Sequence, residues 1–409
     1  MTLRASNASA PETQPATAGP LALVTGGGSG GHVFPGLAIC EELVRRGWQV
    51  GWVGSRRGLE ARLVDGRDIP FHDLPARPVV GQSLAGKLRA ALTLVRSAWQ
   101  ARALVRRSRA QVVVGTGGYV SAPAVFGAWL AARPTYLLEP NADAGFANRW
   151  LSRLAAEAGV AFEGTRSQLA CPARTTGIPV RDEFFNAESE PPPSPPVRLL
   201  ILGGSQGARQ INELMPPALV AVAERLGAIE VCHQTGRAHL DATRDAYRAA
   251  GIEPRGASEN DESAPTSSEA PGEQSVRCEI VPFIGEIATA MARSHLIVSR
   301  AGAITLAEIC AVGRASLLVP LAIAAGHQGA NAERLEAAGA ARVLPASATA
   351  SDLTELLADL LREPQTLPVL GDMARAARDL GHRSAVQAIA ERLELLAGLH
   401  DGDRREGAS

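Results

Sequence analysis

The segment Thr25-Gly26-Gly27-Gly28-Ser29-Gly30-Gly31-His32 lies between a short apolar run and a helical stretch. A glycine turn at a helix N-terminus offers an anion free backbone N–H groups and the positive end of the helix dipole. Gly26, Gly28 and Gly31 also satisfy the dinucleotide spacing G-x-G-x-x-G. Such sites carry an acid about 20 residues on, at the end of the next strand. Here that strand ends Val53-Gly54-Ser55, which argues against a nicotinamide or flavin enzyme. His32 stands where the helix dipole disfavours imidazolium, so it is expected to be neutral near pH 7. Two roles are open to it: accepting a proton in a reaction, or hydrogen-bonding to order the loop.

A second loop, Gly203-Gly204-Ser205-Gln206-Gly207-Ala208-Arg209, repeats the arrangement and suits a diphosphate. In Arg300-Ala301-Gly302-Ala303-Ile304-Thr305-Leu306-Ala307-Glu308 a strand ends, a glycine turns the chain and a helix opens. The Glu308 carboxylate can accept hydrogen bonds from two ribose hydroxyls, or it can cap its helix. Gly326-His327-Gln328-Gly329-Ala330-Asn331 opens a further helix with polar side chains. Gly115-Thr116-Gly117-Gly118-Tyr119 and Glu139-Pro140-Asn141 follow strands of the first half, at the sheet end where ligands of open α/β folds gather. No Asp-x-Asp metal motif accompanies these loops, so neither a metal nor a cofactor is expected.

Short apolar runs alternate with helical stretches, the pattern of parallel βαβ units. Strands are predicted over residues 21–24, 49–53, 111–114 and 135–138, and then over 197–202, 230–234, 296–299 and 315–319. A helix is predicted over 35–46, with Pro35 at its start, where a missing N–H costs nothing. Each half opens with strand, glycine loop and helix, so the expected fold class is α/β, two Rossmann-like domains facing a cleft. Residues 1–19 form a tail, 20–185 the first domain, 186–197 a proline-rich linker, 198–380 the second domain, 381–399 a C-terminal helix and 400–409 a tail. Residues 255–277 are too polar to offset their ordering entropy and read as a disordered insertion. Thr349-Ala350-Ser351-Asp352 has the form of a capped start to helical residues 351–399.

A formal net charge of −1 and 46% apolar residues fit a globular enzyme, and no nucleic-acid partner is expected. Cys40, Cys171, Cys232, Cys278 and Cys310 are isolated, which argues against a disulfide framework or a zinc site and suits a reducing compartment. The first twenty residues lack the apolar core of a signal peptide. The uncharged stretch 110–132 is broken by glycines and Pro123, so any membrane contact is expected to be peripheral. Residues 84–110 read as a helix with Leu84, Leu88, Leu92, Val95 and Trp99 at helical spacing. Lys87, Arg89, Arg96, Arg102, Arg106, Arg107 and Arg109 flank them, and no Asp or Glu occurs between positions 74 and 138. An interfacial helix has this pattern, and so does a core-facing helix with a solvated basic face.

GGGSGGHVFPGLA, GTGGYVSAP, EPNADAGFANRWL, GIPVR, GGSQGARQIN, PFIGEIATAM, RAGAITLAEI and HQGANA resemble, in order, the signature segments of the MurG family. Those are the bacterial peptidoglycan N-acetylglucosaminyltransferases that convert lipid I to lipid II. The resemblance covers residues 21–399 apart from the insertion. It implies the GT-B fold, with the acceptor domain first and the UDP-GlcNAc domain second. It implies donor contacts at Ser29, Gly30, Gly31, Asn141, Arg181, Ser205, Ile284, Ala303, Ile304, Thr305, Leu306, Ala307, Glu308 and Gln328. The backbone at Ile284 would hold uracil and Glu308 the ribose. His32 matches a histidine facing the reacting sugars, and Tyr119 and Glu139 fall on the acceptor side. Ser29 stands where Thr is usual, Pro140 replaces a usual Gln, and Ala325 and Gly326 replace acidic residues often found before His-Gln.

The implied reaction is inverting transfer of GlcNAc from UDP-GlcNAc to the C4 hydroxyl of the MurNAc unit of lipid I, an undecaprenyl-pyrophosphoryl-MurNAc-peptide. The implied place is the anionic cytoplasmic face of the bacterial inner membrane, met peripherally. A UDP-GlcNAc 2-epimerase would share the two-domain plan without needing a lipid acceptor. A non-catalytic nucleotide-sugar-binding module would not need His32 beside two glycine loops.

Overall fold

The computed structural model describes residues 19–76, 84–187, 196–204, 207–226, 228–256, 276–321, 327–361 and 368–398, the side chains of 84–91 and 226 excepted. Its first sheet contains β1 (Leu21–Thr25), β2 (Gln49–Gly54), β3 (Phe71–Asp73), β4 (Val112–Gly115), β5 (Thr135–Glu139), β6 (Glu157–Val160) and β7 (Ala173–Thr175). The order is β3-β2-β1-β4-β5-β6-β7, every pairing parallel. The second sheet contains β8 (Val197–Leu202), β9 (Ile229–Gln234), β10 (Val276–Val281), β11 (Leu296–Ser299), β12 (Ala315–Leu318) and β13 (Ala341–Val343). Its order is β10-β9-β8-β11-β12-β13, again parallel throughout. Helices cover both faces of a parallel sheet, which is why β8 and β11 read as nearly unbroken apolar runs. Strand order reverses between β1 and β4 and between β8 and β11, and the crevice of such a sheet opens at that switch point. The two glycine loops leave from β1 and β8, so each lies at its sheet's switch point.

Leu199 and Ile201 pack toward the Arg209–Leu226 helix, and Leu200 and Leu202 toward the Ala303–Val312 helix. In the first sheet Val24 and Trp52 are buried with the Gly30–Arg45 helix. The last helix, Ala385–Leu396, joins that same core through Ile389, Ala390 and Leu393. Burial of side chains of this size stabilises by about 1.5–3 kcal/mol each. Arg392 clamps buried Glu157 at 2.7 Å and Arg46 meets Glu394 at 3.2 Å. The C-terminal helix thus packs on the first sheet although it follows the second in sequence.

Three sequence expectations are corrected. The first helix begins at Gly30, not Pro35, so Pro35 lies in its second turn and leaves the Gly31 carbonyl without its intrahelical donor. The linker gives up its first residue, since Asp182–Asn186 is helical; β8 spans Val197–Leu202 as expected, and 188–195 lie outside the described residues. The insertion also shortens. Arg255 donates to the Cys278 carbonyl at 2.8 Å and accepts from the Ile280 N–H at 2.9 Å, and β10 begins at Val276. Residues 257–275 lie outside the described residues. Because this ladder holds both ends side by side, replacing 257–275 with a short Gly-Ser loop is expected to shift Tm by no more than about 2 °C and to leave turnover unchanged. A larger shift by calorimetry would show that the segment packs on the fold.

Thr349 and Asp352 form the reciprocal capping box anticipated for the helix Ala350–Leu360. The uncharged stretch 110–132 resolves into β4, a turn and the Ser121–Leu130 helix. Among the described residues no helix is long and apolar enough to cross a membrane. In the Leu84–Ser108 helix the residues turned to the core are Ser97, Ala98, Ala101, Leu104 and Val105. They lie against the Ser121–Leu130 helix, where Gly127 permits close approach: a Cβ there would sit 2.5 Å from the Ala101 Cβ.

Candidate active site

Ser29 is the N-cap of the Gly30–Arg45 helix, yet its hydroxyl makes no capping bond and stays available to a ligand. A Cβ on Gly31 would lie 3.7 Å from the Ile304 side chain, so the first loop faces the donor helix of the second sheet. His32 Nδ1 is 2.9 Å from the Thr116 carbonyl. A carbonyl oxygen only accepts, so Nδ1 carries the proton and Nε2 keeps its lone pair. The Thr116 hydroxyl donates back to the His32 carbonyl at 2.6 Å. Burial holds the imidazole below its usual 6.5; the Thr116 carbonyl and Glu139 oppose that shift and His327 adds to it. Gly117, at φ +107°, is required here, since a Cβ would reach within 2.5 Å of Nδ1. Both roles left open for His32 are therefore compatible: Nδ1 orders the loop while Nε2 can take a proton.

Glu139 was expected on the acceptor side, but its carboxylate is buried and given to its own loop. It accepts from the Asn141 N–H and side-chain amide, both at 3.0 Å, from Gly145 N–H at 2.8 Å and from Asn148 at 2.9 Å. Asn141 Oδ1 in turn accepts from Asn331 at 3.2 Å. Asn331, fully buried, also accepts from Ala142 N–H at 2.8 Å and donates to the Ala301 carbonyl at 3.2 Å. It ties the β5 loop to the entry of the donor helix. A polar residue in HQGANA was visible in sequence, but its reach across the cleft had no local signal. Tyr119 lies over the first loop, 3.2 Å from the Cβ position of Gly28, and burial raises its phenol, with Glu60 adding to the shift.

On the donor side, Gly302 is the N-cap of the Ala303–Val312 helix, and Ala303, Ile304 and Thr305 form its first turn. Leu306 is buried in the core, so only its backbone faces a ligand; Ala307 is half-buried. Glu308 lies in the second turn, which removes the helix-capping alternative. Its carboxyl is pushed up to about 7, chiefly by burial, with Arg181 opposing and Glu183 adding. Arg181 pairs with Glu183 at 2.9 Å and lies over the Phe184 ring. Of the Ile284 backbone, expected to hold uracil, the N–H is donated to Gln234 Oε1 at 3.1 Å and the carbonyl is left to meet a base. Gln328 Oε1 accepts from the Leu321 N–H at 3.0 Å. Ser205 lies outside the described residues; beside it, Gly204 is left-handed at φ +73° with open space where a Cβ would be. Among the described residues no group of three His, Cys, Asp or Glu is placed to hold a metal, and Asp401-Gly402-Asp403, the chain's one Asp-x-Asp, lies outside them.

Residues 22–160 match the glycosyltransferase family 28 N-terminal domain and residues 198–393 the family 28 C-terminal domain. The UDP-N-acetylglucosamine–N-acetylmuramyl-(pentapeptide) pyrophosphoryl-undecaprenol N-acetylglucosamine transferase of Stutzerimonas stutzeri is 40% identical over 379 residues, covering 90% of this chain and 98% of that protein. The enzyme of the same name from Burkholderia ambifaria is 39% identical over 384 residues, 92% of this chain and 96% of that protein. Acinetobacter baumannii MurG, a crystal structure, superimposes with a TM-score of 0.71 at 30% identity, over 92% of this chain and 99% of that one. A UDP-GlcNAc 2-epimerase of Neisseria meningitidis, solved with UDP-GlcNAc, gives a TM-score of 0.59 at 15% identity, a likeness of fold alone. With both domain matches falling on the two sheets and near-full-length relatives at this identity, the chain belongs to the MurG family of GT-B glycosyltransferases.

Proposed function

We propose that the chain transfers GlcNAc from UDP-GlcNAc to the C4 hydroxyl of the MurNAc unit of lipid I, with inversion at C1 and His32 as the base. The observation that carries this reading is the His32 ring: neutral, anchored through Nδ1 to Thr116, on a loop that faces the donor helix. As the acceptor oxygen attacks C1, its proton passes to Nε2, a contribution of about 10²–10⁴ in rate. The sugar passes through an oxocarbenium-like state and UDP departs. Negative charge growing on the diphosphate is met by N–H groups at helix starts, Gly30 and Gly31 from one domain and the start of the Arg209–Leu226 helix from the other. A UDP-release assay over a panel of UDP-sugars, with and without a soluble lipid I analogue, tests the assignment. UDP-GlcNAc should be consumed only when acceptor is present, and far faster than UDP-glucose. Equal kcat/KM for the two donors would remove the donor assignment.

The acceptor is a membrane lipid, and an exposed surface of the first domain supports peripheral docking. Leu92, Val95 and Trp99 of the predicted stripe are 64, 53 and 56% exposed, on the side of the helix away from the core. The side chains of Leu84, Lys87, Leu88 and Arg89 lie outside those described. Trp129, Phe146 and Trp150 are exposed nearby in chain topology, and Phe126 stacks on Trp129. Arg96, Arg106 and Arg107 are exposed on the same helix and Arg109 just after it, and Arg102 lies over Trp99. Each basic side chain near an anionic leaflet is worth about 1 kcal/mol. Reversing Arg96, Arg106 and Arg107 to Glu is therefore expected to weaken binding to phosphatidylserine-containing vesicles by at least about a hundredfold at low salt. Turnover of a soluble acceptor should barely change. Unaltered vesicle binding in a flotation assay would place docking elsewhere.

A further inference from the structure

Beneath the first glycine loop lies a carboxylate that none of the donor or acceptor assignments uses. Glu60, in the first turn of the Leu59–Val64 helix, is fully buried. Its Oε1 accepts the Ser55 N–H at 3.0 Å and its Oε2 the Gly28 N–H at 3.3 Å. Both donors are backbone amides, and no cation pairs with it among the described residues. A buried carboxylate held by amides alone is costly to keep compared with a neutral group of the same shape. The chain nonetheless clears space for it. A Cβ on Gly27 would lie 2.5 Å from its Cδ, one on Gly54 2.8 Å from its Cγ, and one on Gly58 2.2 Å from its oxygens. The Tyr119 ring also closes on this peptide, 3.2 Å from the Cβ position of Gly28, whose φ is +83°. The Gly28 peptide is thus held by a carboxylate and an aromatic ring, with its N–H turned inward. An unrestrained glycine there would sample several conformations. The next four residues are Ser29, Gly30, Gly31 and His32.

We propose that Glu60 is a positioning residue for glycosyl transfer: it fixes the Gly28 peptide and, through it, the N-cap of the Gly30–Arg45 helix and the His32 imidazole. Its relevance to rate rests on His32 being the base. Glu60→Gln keeps the volume but turns an NH2 group toward one of the two amide donors. The expected result is a kcat lowered by at least about tenfold, since a catalytic group has shifted. UDP affinity should fall by less than kcat does, since the second domain holds most of the nucleotide and the Gly30 and Gly31 amides act chiefly on charge that grows as UDP leaves. In the free protein the His32 imidazole, followed by NMR, should titrate closer to 6.5, because a loosened loop admits water around a ring otherwise faced by the Thr116 carbonyl, Glu139 and His327. Gly28→Ala disturbs the same peptide from the Tyr119 side and should reproduce the signature. The double variant should be no worse than the poorer single. Unchanged kcat and imidazole titration in both variants would overturn the proposal, as would additive losses or a fall in UDP affinity matching the fall in kcat. The titration needs no substrate, so it separates failure of this inference from failure of the proposed reaction.

Discussion

Replacing His32 by alanine is expected to lower kcat by at least about a hundredfold at saturating acceptor, with the fold retained. The variant loses the Nδ1 bond to Thr116, but the Thr116 hydroxyl still donates to the backbone carbonyl of position 32. A lost hydrogen bond of this kind is worth about 0.5–1.5 kcal/mol. Even passed wholly into the barrier, that amounts to about tenfold in rate. A hundredfold loss therefore requires removal of a proton acceptor, and a loss of tenfold or less would return His32 to ordering the loop. The pH profile gives the same discrimination. Burial holds the imidazole below 6.5, so the wild-type rate should be level around pH 7 and fall only as the pH drops beneath that value.

Glu308→Gln is expected to weaken UDP-GlcNAc binding by about 1–3 kcal/mol, the scale of a hydrogen bond to a charged group, while making the free protein more stable above pH 7. The two effects share one cause. Burial pushes the Glu308 carboxyl up to about 7, against 4.5 for the group in an unfolded chain. A raised carboxyl costs no stability below 4.5; the cost grows as the pH climbs between the two values and is complete above 7. Glutamine removes that cost. Ribose hydroxyls donating to the carboxylate, with Arg181 beside it, would favour the ionised form, so binding near pH 6 should expel a proton and tighten as the pH rises toward 8. Calorimetry in two buffers of different ionisation heat measures the proton directly. A Glu308→Gln variant with unchanged donor affinity would deny the residue its ribose role.

Much of this site was legible because its chemistry is local. A glycine loop between an apolar strand and a helix carries its anion-binding logic in consecutive residues, and both such loops stand at the switch points of their sheets. Central strands such as β8 and β11, buried on both faces, announce themselves as apolar runs. The unpredicted strands β3, β6, β7 and β13 are three or four residues long and carry no apolar run, and β10 begins inside what composition alone reads as an insertion. The first helix started five residues early for sequence reasoning, because glycines are poor helix formers and Pro35 is a strong start signal. The bonding roles of Asn331, Glu139 and Glu60 were hidden for another reason. Their work depends on partners 189, 9 and 32 positions away, brought close only by the fold. The exposed face of the Leu84–Ser108 helix was undecided in sequence, since a helix shows its apolar stripe without showing what covers it.

The most direct test is the structure of the product made by the wild-type chain from UDP-GlcNAc and a soluble lipid I analogue, read by mass spectrometry and NMR. Inverting transfer assisted by His32 predicts one GlcNAc added through a β linkage to the C4 oxygen of MurNAc, with one UDP released for each acceptor consumed. An α linkage, attachment at another oxygen, or conversion of the donor to its C2 epimer with the acceptor untouched would contradict it.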